Sequence, residues 1–131
     1  LNPVDHVEQS EQPTHEHPFL LNSGRILYHY HTATMSRRNK ALTAFVNESY
    51  VLMHPFDVEK KGLKEGDKVR LSNDRGELET FLKSSEEVVE GELFMPWHFY
   101  EAPVNKLTRA ELDPYSKIAP FKLSACKVEK V

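Results

Sequence analysis

The sequence predicts a small, mainly β domain, a closed sheet or barrel carrying one or two short helices. Short apolar or alternating stretches of strand length recur at Phe19–Leu21, Ser49–Met53, Lys68–Ser72, Glu77–Lys83, Glu92–Met95 and Phe121–Val128. Glycine, proline and Asn-Asp turn signals separate most of them. Helical signals are confined to a segment after Pro55 and a short one near Val104.

Taken in order, residues 1–17 are polar, acidic and broken by Pro3 and Pro13, with no periodicity. They read as a linker or N-terminal arm, and residues 18–131 as one folded domain. The chain starts at Leu1 rather than Met, which reads as a fragment or a processed product. His15 and His17 lie in the arm with no third ligand in view, so solvated histidines are expected there. Phe19-Leu20-Leu21 reads as a buried strand entering a loop at Asn22-Ser23-Gly24. Proline near the start and glycine past the end frame a helix over Phe56–Lys61, anchored by Phe56, Val58 and Leu63. Val69 and Leu71 alternate with Lys68 and Arg70, and Asn73-Asp74-Arg75-Gly76 signals a hairpin. The return strand places Leu78, Thr80 and Leu82 on one face. An acidic turn over Glu86–Glu90 leads through Gly91 to the strand Glu92–Met95. A short helix is expected at Val104–Thr108, and Phe121–Val128 ends the fold.

Composition bounds what such a domain does. With 131 residues and 39% hydrophobic side chains there is material for one modest core. Seventeen basic against 20 acidic residues give a net charge of −3, which argues against general nucleic-acid binding. No apolar run has the length of a membrane span, and no secretion leader is visible. The single cysteine, Cys126, excludes a disulfide framework, and a Cys-rich metal site or iron–sulfur cluster, within this chain. A reducing, cytoplasmic setting is the expectation.

Against this acidic background, the window from His17 to Asn47 contains no Asp or Glu. Its core, Asn22–Arg38, reads NSGRILYHYHTATMSRR. Arginines, histidines, hydroxyls and a glycine in one loop suit a phosphate-bearing ligand. Guanidinium forks pair with phosphate oxygens, and hydroxyls and backbone N–H groups complete the shell.

Four segments carry a resemblance. They are PFLLNSGRILYHYHTATMSRR at Pro18–Arg38, ESYVLMHPFDVEKKGLKEGDKVRLSNDRGELE at Glu48–Glu79, GELFMPWHF with EAPVNKLT over Gly91–Thr108, and LDP followed by SKIAPFKLSACKVEKV at the C-terminal end. Together, over roughly residues 13 to 131, they resemble the C-terminal domain of molybdopterin oxidoreductases, most of all formate dehydrogenase catalytic subunits. The resemblance implies a double-psi β-barrel of the aspartate-decarboxylase-like kind. It also implies one ligand, the bis(molybdopterin guanine dinucleotide) cofactor of molybdenum or tungsten. A metal-bound cysteine or selenocysteine, and any iron–sulfur cluster, would lie in other domains. At Ser124-Ala125-Cys126 the chain departs from the Cys-Ala-Val of many relatives, and Cys126 is expected to pack in the core.

On this resemblance Gly24, Arg25, Tyr28, His29, His31, Thr34, His98, Asn105 and Lys122 are expected to bind the cofactor, with no catalytic and no metal-ligating residue among them. Arg25 is set against a plain surface arginine. His29 and His31 are read as cofactor contacts in preference to metal ligands or an acid–base pair. Thr32, Thr34 and Ser36 offer hydroxyls, with local turn bonding as the alternative. Arg37 and Arg38 suit either a diphosphate or a neighbouring domain. His98, polar within the apolar run around Trp97 and Phe99, needs a partner if buried. Asn105 offers donor and acceptor together, or else caps a helix. Lys122 is expected inside a buried strand, where an anion would balance its charge.

The expected function is a cofactor-binding domain of a formate dehydrogenase-type enzyme, oxidising formate to carbon dioxide, and inactive when isolated. Its expected partners are the remaining domains or subunits, with neither nucleic acid nor membrane insertion. Two rivals stand beside it. One is a free-standing small subunit of a related enzyme such as formylmethanofuran dehydrogenase. The other is a non-enzymatic double-psi barrel that binds proteins, as in some AAA ATPases, which need not combine the basic loop with Asn105 and Lys122.

Overall fold

The computed structural model describes Pro3 and residues 11–131. Six strands close into a barrel: β1 (Phe19–Gly24), β2 (Tyr50–Met53), β3 (Lys68–Asn73), β4 (Gly76–Ser84), β5 (Glu92–Pro96) and β6 (Leu123–Lys130). Around the barrel they run β1-β5-β2-β4-β3-β6, and β6 pairs back onto β1. Two neighbouring pairs, β1–β5 and β2–β4, are parallel, and the rest are antiparallel. Parallel pairs reached by crossovers within a closed barrel make the double-psi arrangement expected from the sequence. Two short helices, α1 (Lys40–Phe45) and α2 (Pro55–Lys60), and two 3-10 turns, Ser36–Arg38 and Val104–Leu107, complete the fold.

Alternation fills the barrel. Val69 and Leu71 of β3 face Leu78, Thr80 and Leu82 of β4, all buried as the pattern predicts. Leu21, Val51, Met53, Leu93 and Met95 join them from the other strands. Cys126 packs among these side chains, and burial pushes its thiol up to about 12, so it is an inert filler.

Several boundaries differ from the sequence reading, each for a tertiary reason. β1 continues through Asn22-Ser23-Gly24, because those residues pair with Phe94, Met95 and Pro96 of β5. Helix α1 is unexpected. None of its residues is buried, so it leaves no apolar stripe, and only the Asn39 cap, which accepts from the N–H groups of Ala41 and Leu42, marks it. In α2, Val58 and Leu63 anchor the packing as expected but Phe56 is 53% exposed. Asp57 is buried in its place, accepting the Gly91 N–H at 2.8 Å. The last strand starts at Leu123, after Pro120, so Lys122 stands exposed before the strand rather than buried within it.

Most of the segment read as an arm lies outside the described residues. Glu11, within it, is buried, accepts the Ala125 N–H at 2.7 Å and pairs with Arg75 and Arg109. His17 lies 3.8 Å from Asp74, and among the described residues no cluster of metal ligands forms.

The parallel β1–β5 pair organises one rim of the barrel. Its register sets Gly24 beside Pro96, so the segments after both strands leave from one rim. Trp97 N–H donates to the Gly24 carbonyl at 3.2 Å, and Ser23 N–H to the Lys122 carbonyl at 2.8 Å. Three remote stretches of sequence thereby meet there.

Candidate ligand-binding cleft

At that rim opens a cleft of about 770 Å3, lined by Ser23, Gly24, Arg25, Trp97, Asn105, Phe121 and Lys122. Gly24, Arg25, Asn105 and Lys122 are residues expected from the sequence, and the fold brings them together from positions far apart in the chain. Gly24 is demanded by packing: a Cβ there would sit 2.5 Å from Cε2 of Phe94. The Arg25 guanidinium lies 5.7 Å from the Trp97 ring centroid, a cation–π distance that keeps its N–H edge available. Asn105 is exposed on the 3-10 turn after Pro103, and that turn is tied to the barrel by Asn73 Nδ2, which donates to the Leu107 carbonyl at 2.9 Å. Ser23 fixes the other side, its hydroxyl donating to the Phe121 carbonyl at 2.6 Å.

Among the described residues no carboxylate lines this cleft. Two cations, an amide and an indole face converge on it, a set that suits an anionic ligand with a flat heteroaromatic part. A neighbouring depression of about 470 Å3 shares Ser23 and Arg25 but adds Glu87 and Glu92. Those carboxylates would repel an anion, so the Trp97 side is the receptive one.

The rest of the acid-free loop surrounds the cleft without lining it. His31 is exposed, its ring edge 6.1 Å from Trp97 between centroids. Thr34 is exposed further along the loop. Tyr28 stacks on Phe45 of α1, centroids 4.7 Å apart and planes within 7°. That contact gives α1 its role, which is to support the loop from outside. His29 and His98 are buried beneath it, and their ring nitrogens are all engaged by protein groups. Both are among the residues expected at the cofactor, and here they form the layer on which the loop rests. Ser36 takes the local option, bonding His29 and the Tyr30 N–H. Arg37 pairs with Glu101 and lies over Phe99 and Tyr100. The hydrogen bond to Glu101 holds its pKa above the ordinary arginine value, against the effect of burial.

Residues 19–125 match the family model described as the Molydopterin dinucleotide binding domain. The chain belongs to this molybdopterin dinucleotide-binding family. It is 42% identical over 128 residues to the F420-dependent formate dehydrogenase 1 subunit alpha of Methanococcus maripaludis, covering 98% of this chain and 19% of that protein. It is 40% identical over 129 residues to the F420-dependent formate dehydrogenase subunit alpha of Methanocaldococcus jannaschii, with 98% and 19% coverage. The chain thus spans about a fifth of the length of the curated relatives it matches. Among solved structures, acetylene hydratase from Pelobacter acetylenicus superposes with a TM-score of 0.76 at 18% identity, over 88% of this chain and 19% of that one. That likeness supports the fold.

Trp97, Ser23 and Phe121 were not singled out as ligand-facing by the sequence. Trp97 reads equally well as barrel-closing. Only the Gly24–Pro96 register, a tertiary fact, turns it toward Arg25.

Proposed function

We propose that this domain clamps the bis(molybdopterin guanine dinucleotide) cofactor of a molybdenum- or tungsten-dependent oxidoreductase of the formate dehydrogenase type. The observation that carries the reading is the convergence of Arg25, Asn105 and Lys122 on one cleft that no carboxylate among the described residues lines. The relatives named as formate dehydrogenase alpha subunits favour formate oxidised to carbon dioxide as the reaction of the complete enzyme.

The residues fit such a cofactor. Arg25 offers a planar fork of donors and Lys122 a point charge, the two cations that a diphosphate needs. Asn105 presents donor and acceptor side by side for the edge of a heterocycle. Gly24, without a side chain, lets Phe94 pack against the strand end that carries Arg25. When bound, the metal centre supplies the two-electron chemistry, while this domain contributes binding, orientation and electrostatics. Cys126 is buried in the barrel core, so a cysteine ligand for that metal would come from the remaining domains, the partners this reading requires. Among the described residues no helix is long and apolar enough to cross a membrane. A cytoplasmic location accords with this reading.

The test uses the complete enzyme with Arg25→Ala and Lys122→Ala combined. Each lost charge-assisted contact is worth about 1.5–3 kcal/mol, roughly tenfold or more in affinity. Pterin and metal contents should fall together with formate oxidation. Cofactor content at the unsubstituted level would refute the clamp.

A further inference from the structure

His98 is completely buried, and both its ring nitrogens are committed to one loop. Nε2 accepts from the Ile26 N–H at 3.0 Å. Nδ1 faces the His31 carbonyl oxygen within hydrogen-bonding distance. An amide N–H only donates and a carbonyl only accepts, so these partners require the neutral imidazole with its proton on Nδ1. One side chain thereby ties together the two ends of Ile26–His31, immediately after Arg25.

This loop needs such a hold. His31 and Ala33 have φ of 45° and 60°, left-handed backbone that costs residues with a Cβ and persists only where the surroundings enforce it. His29 supplies a second hold. Its Nε2–H donates to the Val46 carbonyl at 2.6 Å, its Nδ1 shares a hydrogen bond with the Ser36 hydroxyl at 3.0 Å, and Ser36 Oγ accepts the Tyr30 N–H at 3.2 Å. The His29 ring centroid lies 6.0 Å from that of His98.

Among the described residues no carboxylate faces His98. Trp97 stacks on it at 5.6 Å, and the titratable or charged groups around it are His29, His31 and Arg25. Burial pushes its pKa below the ordinary histidine value. The hydrogen bond to the His31 carbonyl opposes this, and His29, Arg25 and His31 add to the depression. The absence of Asp and Glu from His17 to Asn47 therefore acts twice. It leaves Arg25 open to an external anion, and it denies His98 a counter-ion.

We propose that His98 is a positioning residue of the clamp: its neutral ring holds Ile26–His31, and with it Arg25, in the gripping shape, and its protonation lets the loop go. A proton on Nε2 would point a donor at the Ile26 N–H donor, turning that bond into a repulsion. The hold is complete above the ordinary histidine pKa of about 6.5. Below that pH an opened loop takes up the proton that the closed loop resists, so the grip weakens progressively with acid. The inference rests on the clamp reading above, and its test separates the two.

The experiment follows cofactor release from the complete holoenzyme at about pH 7.5 and about pH 5.5, on either side of the ordinary histidine pKa. Amide exchange at Ile26 is read in the same samples. The variants are His98→Gln, whose amide retains one acceptor and one donor but does not titrate, and His98→Phe, which fills the space with neither. The unsubstituted enzyme should release pterin several-fold faster at the lower pH. His98→Gln should match it at the higher pH and lose the acid sensitivity. His98→Phe should release roughly tenfold faster at both, with Ile26 exchange rising alongside. Retention by His98→Phe equal to the unsubstituted enzyme overturns the positioning role, while loss of cofactor from the Arg25 and Lys122 variant leaves the clamp standing. If that variant also retains cofactor, both fall. Should His98→Phe fail to fold, His98→Gln decides, since release from it that still accelerates in acid overturns the proposal. So does an unsubstituted enzyme that releases equally at both pH values.

Discussion

On the strands β3, β4 and β6, charged side chains answer one another across the sheet, whereas at the cleft the cations have no carboxylate partner among the described residues. Lys68 and Arg70 both reach Glu79, the latter at 3.1 Å, and Lys130 reaches Asp67 at 2.8 Å. The Lys130 ammonium holds Asp67 below the usual carboxylate range, and Lys68, then Arg70, do the same for Glu79. That face is electrostatically complete and open to solvent, where each pair is screened and weak. Arg25 and Lys122, by contrast, make no ion pair among the described residues. The same side-chain types therefore serve two ends. Paired, they make a solvent-facing wall; left unpaired around a concave rim, they line the cleft proposed to take an anion.

Charge reversal is the strongest way to break this comparison. Arg25→Glu removes a charge-assisted contact and adds a repulsion, so the complete enzyme should lose affinity for its cofactor about a hundredfold or more, by pterin and metal analysis. Lys68→Glu, the same reversal on the paired wall, should leave cofactor content unchanged. Equal losses from the two reversals would mean that neither region is specialised.

Next in size is a steric test of the cleft wall. Gly24→Ala places a Cβ 2.5 Å from the Phe94 ring, which is packed beside β1 and has to move. Overpacking of this kind costs about 1–3 kcal/mol. Thermal melting should fall by several degrees, and cofactor retention with it, because the strand end that carries Arg25 is displaced. An unchanged melting temperature would show that Phe94 yields freely and that the glycine is there for another reason.

The barrel was legible in the sequence because alternation is a local signal. Val69, Leu71, Leu78 and Leu82 declare one buried face within a single hairpin, and the structure keeps it. Helix α1 was not legible, since a helix that buries nothing writes no apolar stripe, and a lone Asn39 cap is weak evidence. Residue chemistry together with the family resemblance pointed to Arg25, Asn105 and Lys122 as a set. The location of Lys122 was misread because Phe121 and Leu123 flank it like strand residues. Pro120 delays the strand, and the Lys122 carbonyl is taken by Ser23 from β1. The histidines were the least legible. A ring nitrogen that binds a ligand and one that binds a backbone carbonyl look identical in sequence, and only burial and the two loop partners distinguish them.

The Arg37–Glu101 pair lies between the extremes, partly exposed yet stacked on Phe99 and Tyr100. Glu101→Gln should leave a hydrogen bond but lose the charge. Solvent screening reduces the expected cost to about 1 kcal/mol or less, visible as a small drop in melting temperature. Cofactor content should hold, because Arg37 does not line the cleft. A large loss of cofactor would place Arg37 within the clamp after all.

The smallest expected effect comes from Glu79→Gln on the paired wall. Near neutral pH its melting temperature should fall only slightly below the parent, and that difference should vanish in high salt, because exposed pairs are screened. Acid separates the regions more sharply than temperature does. Asp67 and Glu79 have folded pKa values below their unfolded ones, so their contribution is present above about pH 4 and fades as pH drops through the lower folded values. His98 also has a lowered pKa, but its ordinary value lies near 6.5, so its contribution begins to fade some two units earlier. An acid titration of melting temperature should then show two declines, the upper one from the cleft and the lower one from the wall. Glu79→Gln should flatten part of the lower decline alone and His98→Gln the upper alone. If Glu79→Gln shifted the upper decline, the wall and the cleft would be electrostatically coupled, and the division of labour between paired and unpaired charge would fail.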